Sequence, residues 1–412
     1  MITSSPVRRD PYAAFRHPAY RYFILGWLLS LMGSRIQAVA VAWEVYSRTG
    51  DAMALGFVGL VQALPTMVFA LFSGYIADRY PRPRVLMAGE SLRTVAALTM
   101  LYLSLTKRPV QWMYLPLALD ATANILGRPA RASLIPRLVP TETLANAVTW
   151  NTSMVQIASV IGPAVGGLAL LLGTPVAFAI NVLTALSFIS IIYRLKLPGQ
   201  SNPNAHFTLQ TLLGGIKYVW NVRILLVLMA LDLFAVLLGG AVYLLPIYAK
   251  DIFKVGETGF GWLQAAPAVG ALIMAFTLPY LPPLRNAGRT MVLTVAGFGV
   301  ATIIFGLTSN FWVALAMLAL TGAFDNISMV IRGTVEQLRT ADDMRGRVSA
   351  VNGVFIGASN QLGGFESGLV ADLYSPVVSV VSGGIGTLIV VTLAWVLSPQ
   401  LRELRTLEGE KK

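Results

Sequence analysis

Apolar and polar residues alternate along the chain on a long scale: stretches almost free of charge are broken by a few residues rich in Pro, Gly, Asn, Lys and Arg. Twelve such stretches run at about 20–46, 52–77, 85–106, 110–130, 142–172, 174–195, 223–249, 256–281, 289–308, 311–333, 345–370 and 374–398. Each reaches the roughly 20 residues that a helix needs to cross the hydrocarbon of a bilayer, where backbone groups must bond within their own segment. The pattern predicts an all-α polytopic membrane protein with twelve transmembrane helices. The longest polar interruption divides them into two sixes, giving an N-terminal segment 1–19, a six-helix bundle 20–195, a linker 196–222, a second bundle 223–398 and a tail 399–412. Within the linker, Leu209 to Trp220 is amphipathic and suits a helix on the membrane surface.

The two sixes repeat one another. An offset of 201 residues brings Thr141 onto Asp342, Asn151 onto Asn352, Gly162 and Gly167 onto Gly363 and Gly368, Asn124 onto Asp325, and Arg131 onto Arg332. Shared polar and Gly positions arise by chance less easily than shared Leu or Val. Two pseudo-symmetric bundles related by an axis along the membrane normal are expected, with a substrate cavity between them near the midplane.

Composition fits this picture, with 56% hydrophobic and 12% charged residues and a mean hydropathy of +0.68. The net charge of +12 is unevenly placed. Alternating the segments puts Arg8, Arg9, Arg16, Arg21, Arg79, Arg82, Arg84, Arg131, Arg137, Arg194, Lys196, Lys217, Arg285, Arg289, Arg339, Arg345, Arg347 and the basic tail on one side. The other side receives Arg48, Lys107, Arg108, Lys250 and Lys254. Basic loops stay in the cytoplasm, so both termini and the linker are expected there, and the high pI needs no nucleic-acid partner. The polar start, Met1 to Tyr20, does not read as a cleavable signal peptide. With no cysteine, only His17 and His206 in polar flanks, and no phosphate-binding loop, neither an enzyme, a cofactor, a metal site nor ATP drive is expected.

The stretch GYIADRYPRPR, Gly74 to Arg84, joins the second and third segments. Gly74 allows close approach of helices. Asp78 stands at the negative end of its own helix, which makes sense if another helix N-terminus or an arginine faces it. We expect it to face the start of the eleventh segment, Asp343 to Arg347, with Arg128 or Arg131 as side-chain partner, in the state closed on the cytoplasmic side. The spacing of Gly74, Asp78, Arg79 and Arg82 resembles the signature loop of the major facilitator superfamily, with Pro81 and Pro83 replacing its usual Gly. The run VIGPAVGGLAL in the fifth segment places Gly162, Pro163, Gly166 and Gly167 for tight packing and a kink. It resembles the motif of antiporter members, which implies export.

GRPARASLIPRLV (127–139), WEVYSRTG (43–50) and RGRVSAVN (345–352) are similar to the branch holding the enterobactin exporter and macrolide efflux proteins. Arg35 departs from the small or acidic residue common near that position in relatives.

Ionisable residues inside the spans are costly, about 2.5–3.5 kcal/mol each at a helix centre, and so point to mechanism. Glu44 with Arg48 and Glu90 with Arg93 have the spacing of local ion pairs. Asp120, Asp232, Asp325 and Glu366 have no basic residue at such spacing and are the candidates for proton coupling. The expected protein is a monomeric, proton-coupled exporter of small amphipathic compounds in the inner membrane, in contact with substrate, protons and lipid. Alternatives are a lipid or lysophospholipid flippase, an importer of the same fold, and a transporter-like sensor, for which no large sensory domain is seen.

Overall fold

The computed structural model describes residues 10–197, 199, 209–281, 286–342 and 344–404, with side chains omitted for 71 and 209–213. Arg8, Arg9, His206, Arg285, Asp343, much of the linker and residues 405–412 lie outside the described residues.

Among the described residues the regular structure is helical throughout. The long helices are α1 (Pro18–Thr49), α2 (Ala52–Arg79), α3 (Arg82–Leu105), α4 (Tyr114–Leu134), α5 (Leu144–Leu170), α6 (Thr174–Leu195), α7 (Arg223–Leu238), α8 (Gly256–Thr277), α9 (Ala287–Leu307), α10 (Phe311–Arg339), α11 (Arg345–Leu373) and α12 (Pro376–Leu397). The amphipathic linker stretch forms the helix Leu209–Asn221, seated against the start of α11. There the Tyr218 hydroxyl donates to the carbonyl of Arg339 (3.1 Å) and accepts from the amide of Ala341 (3.1 Å).

Local chemistry sets the helix ends. Gly50 adopts the left-handed conformation (φ 65°) that closes α1, and Asp51 caps α2 through the amide of Met53 at 2.7 Å. Asn310 and Ser375 cap α10 and α12 in the same way. Two expected segments are less regular than the pattern implied. A 3₁₀ turn (Val110–Met113) precedes α4, and α7 stops at Gly239–Gly240 before resuming in short turns to Ile252. Nine helical stretches among the described residues are apolar enough to cross a membrane on composition alone. The others, α3, α4 and α11, carry the charges Glu90, Arg93, Asp120, Arg128, Arg131 and Glu366, which they turn towards neighbouring helices or the space between them.

Hydrophobic packing divides by depth. At the end carrying the termini, one cluster joins Tyr20, Phe23, Leu86, Leu134 and Phe188, and a separate one joins Leu228, Met291, Val335, Val348 and Leu401. At the opposite, distal end a single cluster unites Val39, Trp43, Leu55 and Phe178 of the first six helices with Leu244, Tyr248, Phe260 and Phe305 of the second. Two glycine contacts fasten the halves there. A Cβ on Gly167 of α5 would stand 2.7 Å from Gly261 of α8, and one on Gly368 of α11 would stand 2.5 Å from Gly56 of α2. Backbones this close leave no room for a side chain.

Candidate functional site

Each half contains a buried arginine between two carboxylates. In the first, Arg93 of α3 bonds Glu90 on its own helix (3.1 Å) and reaches Asp120 of α4 (3.5 Å). Ser30 of α1 donates to Glu90 at 3.0 Å, and Glu90 and Arg93 are 2% and 4% exposed. Glu90 and Arg93 are paired and sealed, and the Asp120 side chain is 24% exposed. Glu44 is likewise held, by Arg48 at 3.0 Å and the hydroxyl of Ser104 at 2.7 Å.

In the second half, Arg332 of α10 pairs with Asp232 of α7 and lies 3.8 Å from Asp325, two turns earlier on α10. This cluster is open on one side. The Asp325 side chain is 50% exposed, Asp232 is buried, and the buried Nε of Arg332 meets no acceptor. Asp325 borders a void of about 10 Å³ shared with Asp232, Thr294 and Ser328, roughly one water in size. It also borders a cavity of about 210 Å³ with Tyr243, Phe298 and Asn360.

Three of the four acids that have no basic residue at one-turn spacing are paired with a more distant one in the fold. Asp120 and Arg93 are 27 residues apart, Asp232 and Arg332 are 100 apart, and Asp325 lies seven from Arg332, outside the one-turn window. Glu366 of α11 keeps only a long contact from Ser367 (3.4 Å), with no cation within ion-pair distance among the described residues.

At the terminal end Asp78 is 64% exposed and lies 3.8 Å from Arg82 of its own connection. Among the described residues it forms no ion pair with the start of α11, and one of its two expected partners is engaged elsewhere: the Arg131 guanidinium stacks on Trp27 at 3.6 Å. Arg79 stands over the Tyr75 ring at 5.9 Å. Gly74 has open space where a Cβ would point, so its smallness is not used for packing in this conformation. Arg128 is exposed and lines a cavity of about 510 Å³ between α2, α4, the linker helix and α11.

The glycines of α5 serve two contacts. Gly162 abuts the stem of Arg35 and Gly166 abuts Ile36 and Val39, all on α1, while Gly167 meets α8 of the other half. Pro163 is buried within an α5 that continues to Leu170. The sequence reading missed the distal fastening. Tyr46 donates to Asp251, Lys250 reaches the carbonyl of Ser47 at 3.4 Å, and Trp43 stacks on Phe260 at 5.5 Å. It also missed Glu336, a buried acid that accepts from Ser349 (2.5 Å) and Asn352 (2.8 Å) across α10 and α11. The repeat offset was the available signal for the second glycine contact, since it already equated Gly167 with Gly368.

A family model described as transmembrane secretion effector matches residues 9–410. The enterobactin exporter EntS of Shigella boydii serotype 18 is 28% identical over 407 residues, 94% of each chain, and that of Escherichia coli O1:K1 is equally similar. Among solved structures, a bacterial homologue of the iron transporter ferroportin, inward-facing, superposes with a TM-score of 0.72 at 18% identity, covering 93% of this chain and 98% of that one. An inward-facing, unoccupied bacterial homologue of the lysosomal transporter Spinster gives 0.69 at 15% identity, covering 95% and 97%.

Proposed function

The chain belongs to the transmembrane secretion effector family of major facilitator transporters, a multi-pass membrane transporter and not an enzyme, and from that premise we propose that it is a proton-coupled exporter of small amphipathic compounds. The basic residues grouped at the terminal end support a cytoplasmic location for both termini and the linker, in the bacterial inner membrane. On that orientation the conformation is closed outside and divided inside. The two bundles, 20–195 and 223–398, then exchange access by rocking about the midplane. A site enclosed within one chain needs no second copy, so the working unit is a monomer.

The observation that carries the proton reading is the Asp232–Arg332–Asp325 cluster. Two carboxylates against one guanidinium leave a net charge of −1, and one proton cancels it. A neutral cluster is enclosed by the closing halves at lower cost than a charged one, because desolvation penalises net charge. Asp325, half-exposed, is the member that exchanges the proton; Asp120, Asp232 and Glu366 rank behind it. The resemblance of the Gly162–Gly167 run to the antiporter motif and the name of the exporter relative support the outward direction. Siderophores and amphipathic drugs are the substrate classes in view.

In vesicles containing purified protein, a pH step should drive accumulation of an amphipathic drug by the unaltered chain. Asp325→Asn should abolish it while leaving substrate exchange at equal pH. Uphill transport retained by Asp325→Asn sinks the assignment, and accumulation with the opposite gradient dependence makes the protein an importer. One feature favours a lipid flippase as the second reading: a groove of about 760 Å³ between α7 and α12, lined by Leu226, Phe234 and Leu393, with Arg223 and Trp220 also among its lining residues. Transfer of labelled lysophospholipid between leaflets, without drug transport, would favour that reading.

A further inference from the structure

Arg35 sits near the middle of α1, a membrane-spanning helix, yet among the described residues it has no hydrogen bond, ion pair or ring contact. An arginine at that depth costs about 2.5–3.5 kcal/mol on insertion scales and normally pairs with an anion or a carbonyl. Arg35 is exposed although it lies deep among protein atoms, as a residue facing an internal space does. Its neighbours on α1 fix the direction. Trp27 meets Arg131 of α4 on one side, and Ile36 and Val39 meet Gly166 of α5 on the other, so the face bearing Arg35 and Ala38 looks between α4 and α5. The α5 helix is itself at the boundary between the halves, through Gly167 and Gly261. Room for the arginine stem is provided by Gly162, where a Cβ would fall 2.5 Å from the Cβ of Arg35.

The groups that each half leaves without full pairing differ in sign. The first half presents Arg35 and Arg128 as exposed cations, with Arg131 held on Trp27; the second half presents Asp325 and Glu366. The acids have work in the proton reading or on their own helix. Arg35 does not.

Resting on the export reading, we propose that Arg35 binds the anionic group of the transported compound, so that the substrates are amphipathic organic anions bearing a carboxylate, phenolate, sulfonate or phosphate. A guanidinium offers a planar fork of donors suited to such groups, and the contact is charge-assisted. Substrate and proton then occupy opposite walls, the anion on the first half and the proton on the second. Gly162 belongs to the site as the residue that lets Arg35 stand there.

A matched pair of fluorescent probes tests this: 1-anilinonaphthalene-8-sulfonate and its uncharged analogue N-phenyl-1-naphthylamine, titrated into protein in neutral phosphatidylcholine nanodiscs and corrected for empty discs. The unaltered chain should bind the sulfonate about tenfold more tightly than the neutral amine. Arg35→Gln should lose that preference while keeping its affinity for the neutral probe, Arg35→Lys should keep part of it, and Gly162→Ala should weaken sulfonate binding with the arginine intact. Equal affinity of the unaltered chain for both probes, or an undiminished preference in a folded Arg35→Gln variant, overturns the assignment. Should Arg35→Gln fail to fold, the Gly162→Ala and Arg35→Lys titrations decide it, unchanged preference in both counting against. Phosphatidylglycerol in the disc that displaces the sulfonate assigns the anion to a lipid headgroup; no displacement assigns it to a soluble compound, and both support an anion site. Binding is read without a gradient. Lost anion preference therefore removes this inference alone, whereas intact anion binding without pH-driven transport removes the export reading alone.

Discussion

In the first half Arg93 is enclosed by Glu90, Asp120 and the hydroxyl of Ser30; in the second, Arg332 shares Asp232 with a half-exposed Asp325 and leaves its Nε without an acceptor. The inventory is the same, two acids to one arginine, and the surroundings differ. The sealed cluster ties α1, α3 and α4 together, while the open one borders a cavity. The repeat sharpens the contrast, because Arg131 and Asn124 occupy the positions of Arg332 and Asp325. Without an acid at 124, Arg131 takes the face of Trp27 as its partner, a cation–π contact at 3.6 Å. Buried charge is thus structural where it is fully paired and available for chemistry where one member still meets water.

Stability is where the comparison should show most. Removing Arg93 leaves the buried Glu90 and the partly buried Asp120 uncompensated, so Arg93→Met should cost about 3–5 kcal/mol. Arg332→Met should cost less, since Asp325 retains solvent. Thermal unfolding in detergent would order the two, and equal losses would erase the distinction between sealed and open clusters.

Transport comes next. Asp325→Asn should lower pH-driven flux at least tenfold, equivalent to about 1.4 kcal/mol in the barrier, whereas Asp120→Asn should change it about twofold or less if it folds. The reverse result would move the proton site to the first half.

The glycine contacts test where the halves are alike. Gly167→Leu and Gly368→Leu each place bulk where backbones approach to less than 3 Å from a Cβ, so both should hinder distal closure and slow cycling to a similar degree. Spin-label distances across the distal end should lengthen in both variants; lengthening in only one would show that the two fastenings are not equivalent.

Smaller shifts of opposite sign are expected at the two ends. Tyr46→Phe removes the hydrogen bond to Asp251 and should move the population towards distal opening by about 1.5 kcal/mol. If Asp78 meets the start of α11 when the terminal end closes, Asp78→Asn should move it by under about 1 kcal/mol the other way, a small effect because the charge is exposed here. An unchanged distance distribution in Asp78→Asn would return that connection to a topology signal.

The sequence by itself determined the spans, the fold class and the repeat, because the cost of dehydrating a backbone or a charge is paid locally and is written in consecutive residues. The ion pairs one turn apart, Glu44 with Arg48 and Glu90 with Arg93, were legible for the same reason. Only the tertiary structure decided that Asp232 shares an arginine 100 residues away, that Asp325 keeps one side open, that Arg35 stands against Gly162 with no partner among the described residues, and that Tyr46 reaches Asp251. Whether a buried charge is satisfied depends on what neighbouring helices place within about 4 Å, and neither composition nor spacing along one helix contains that information.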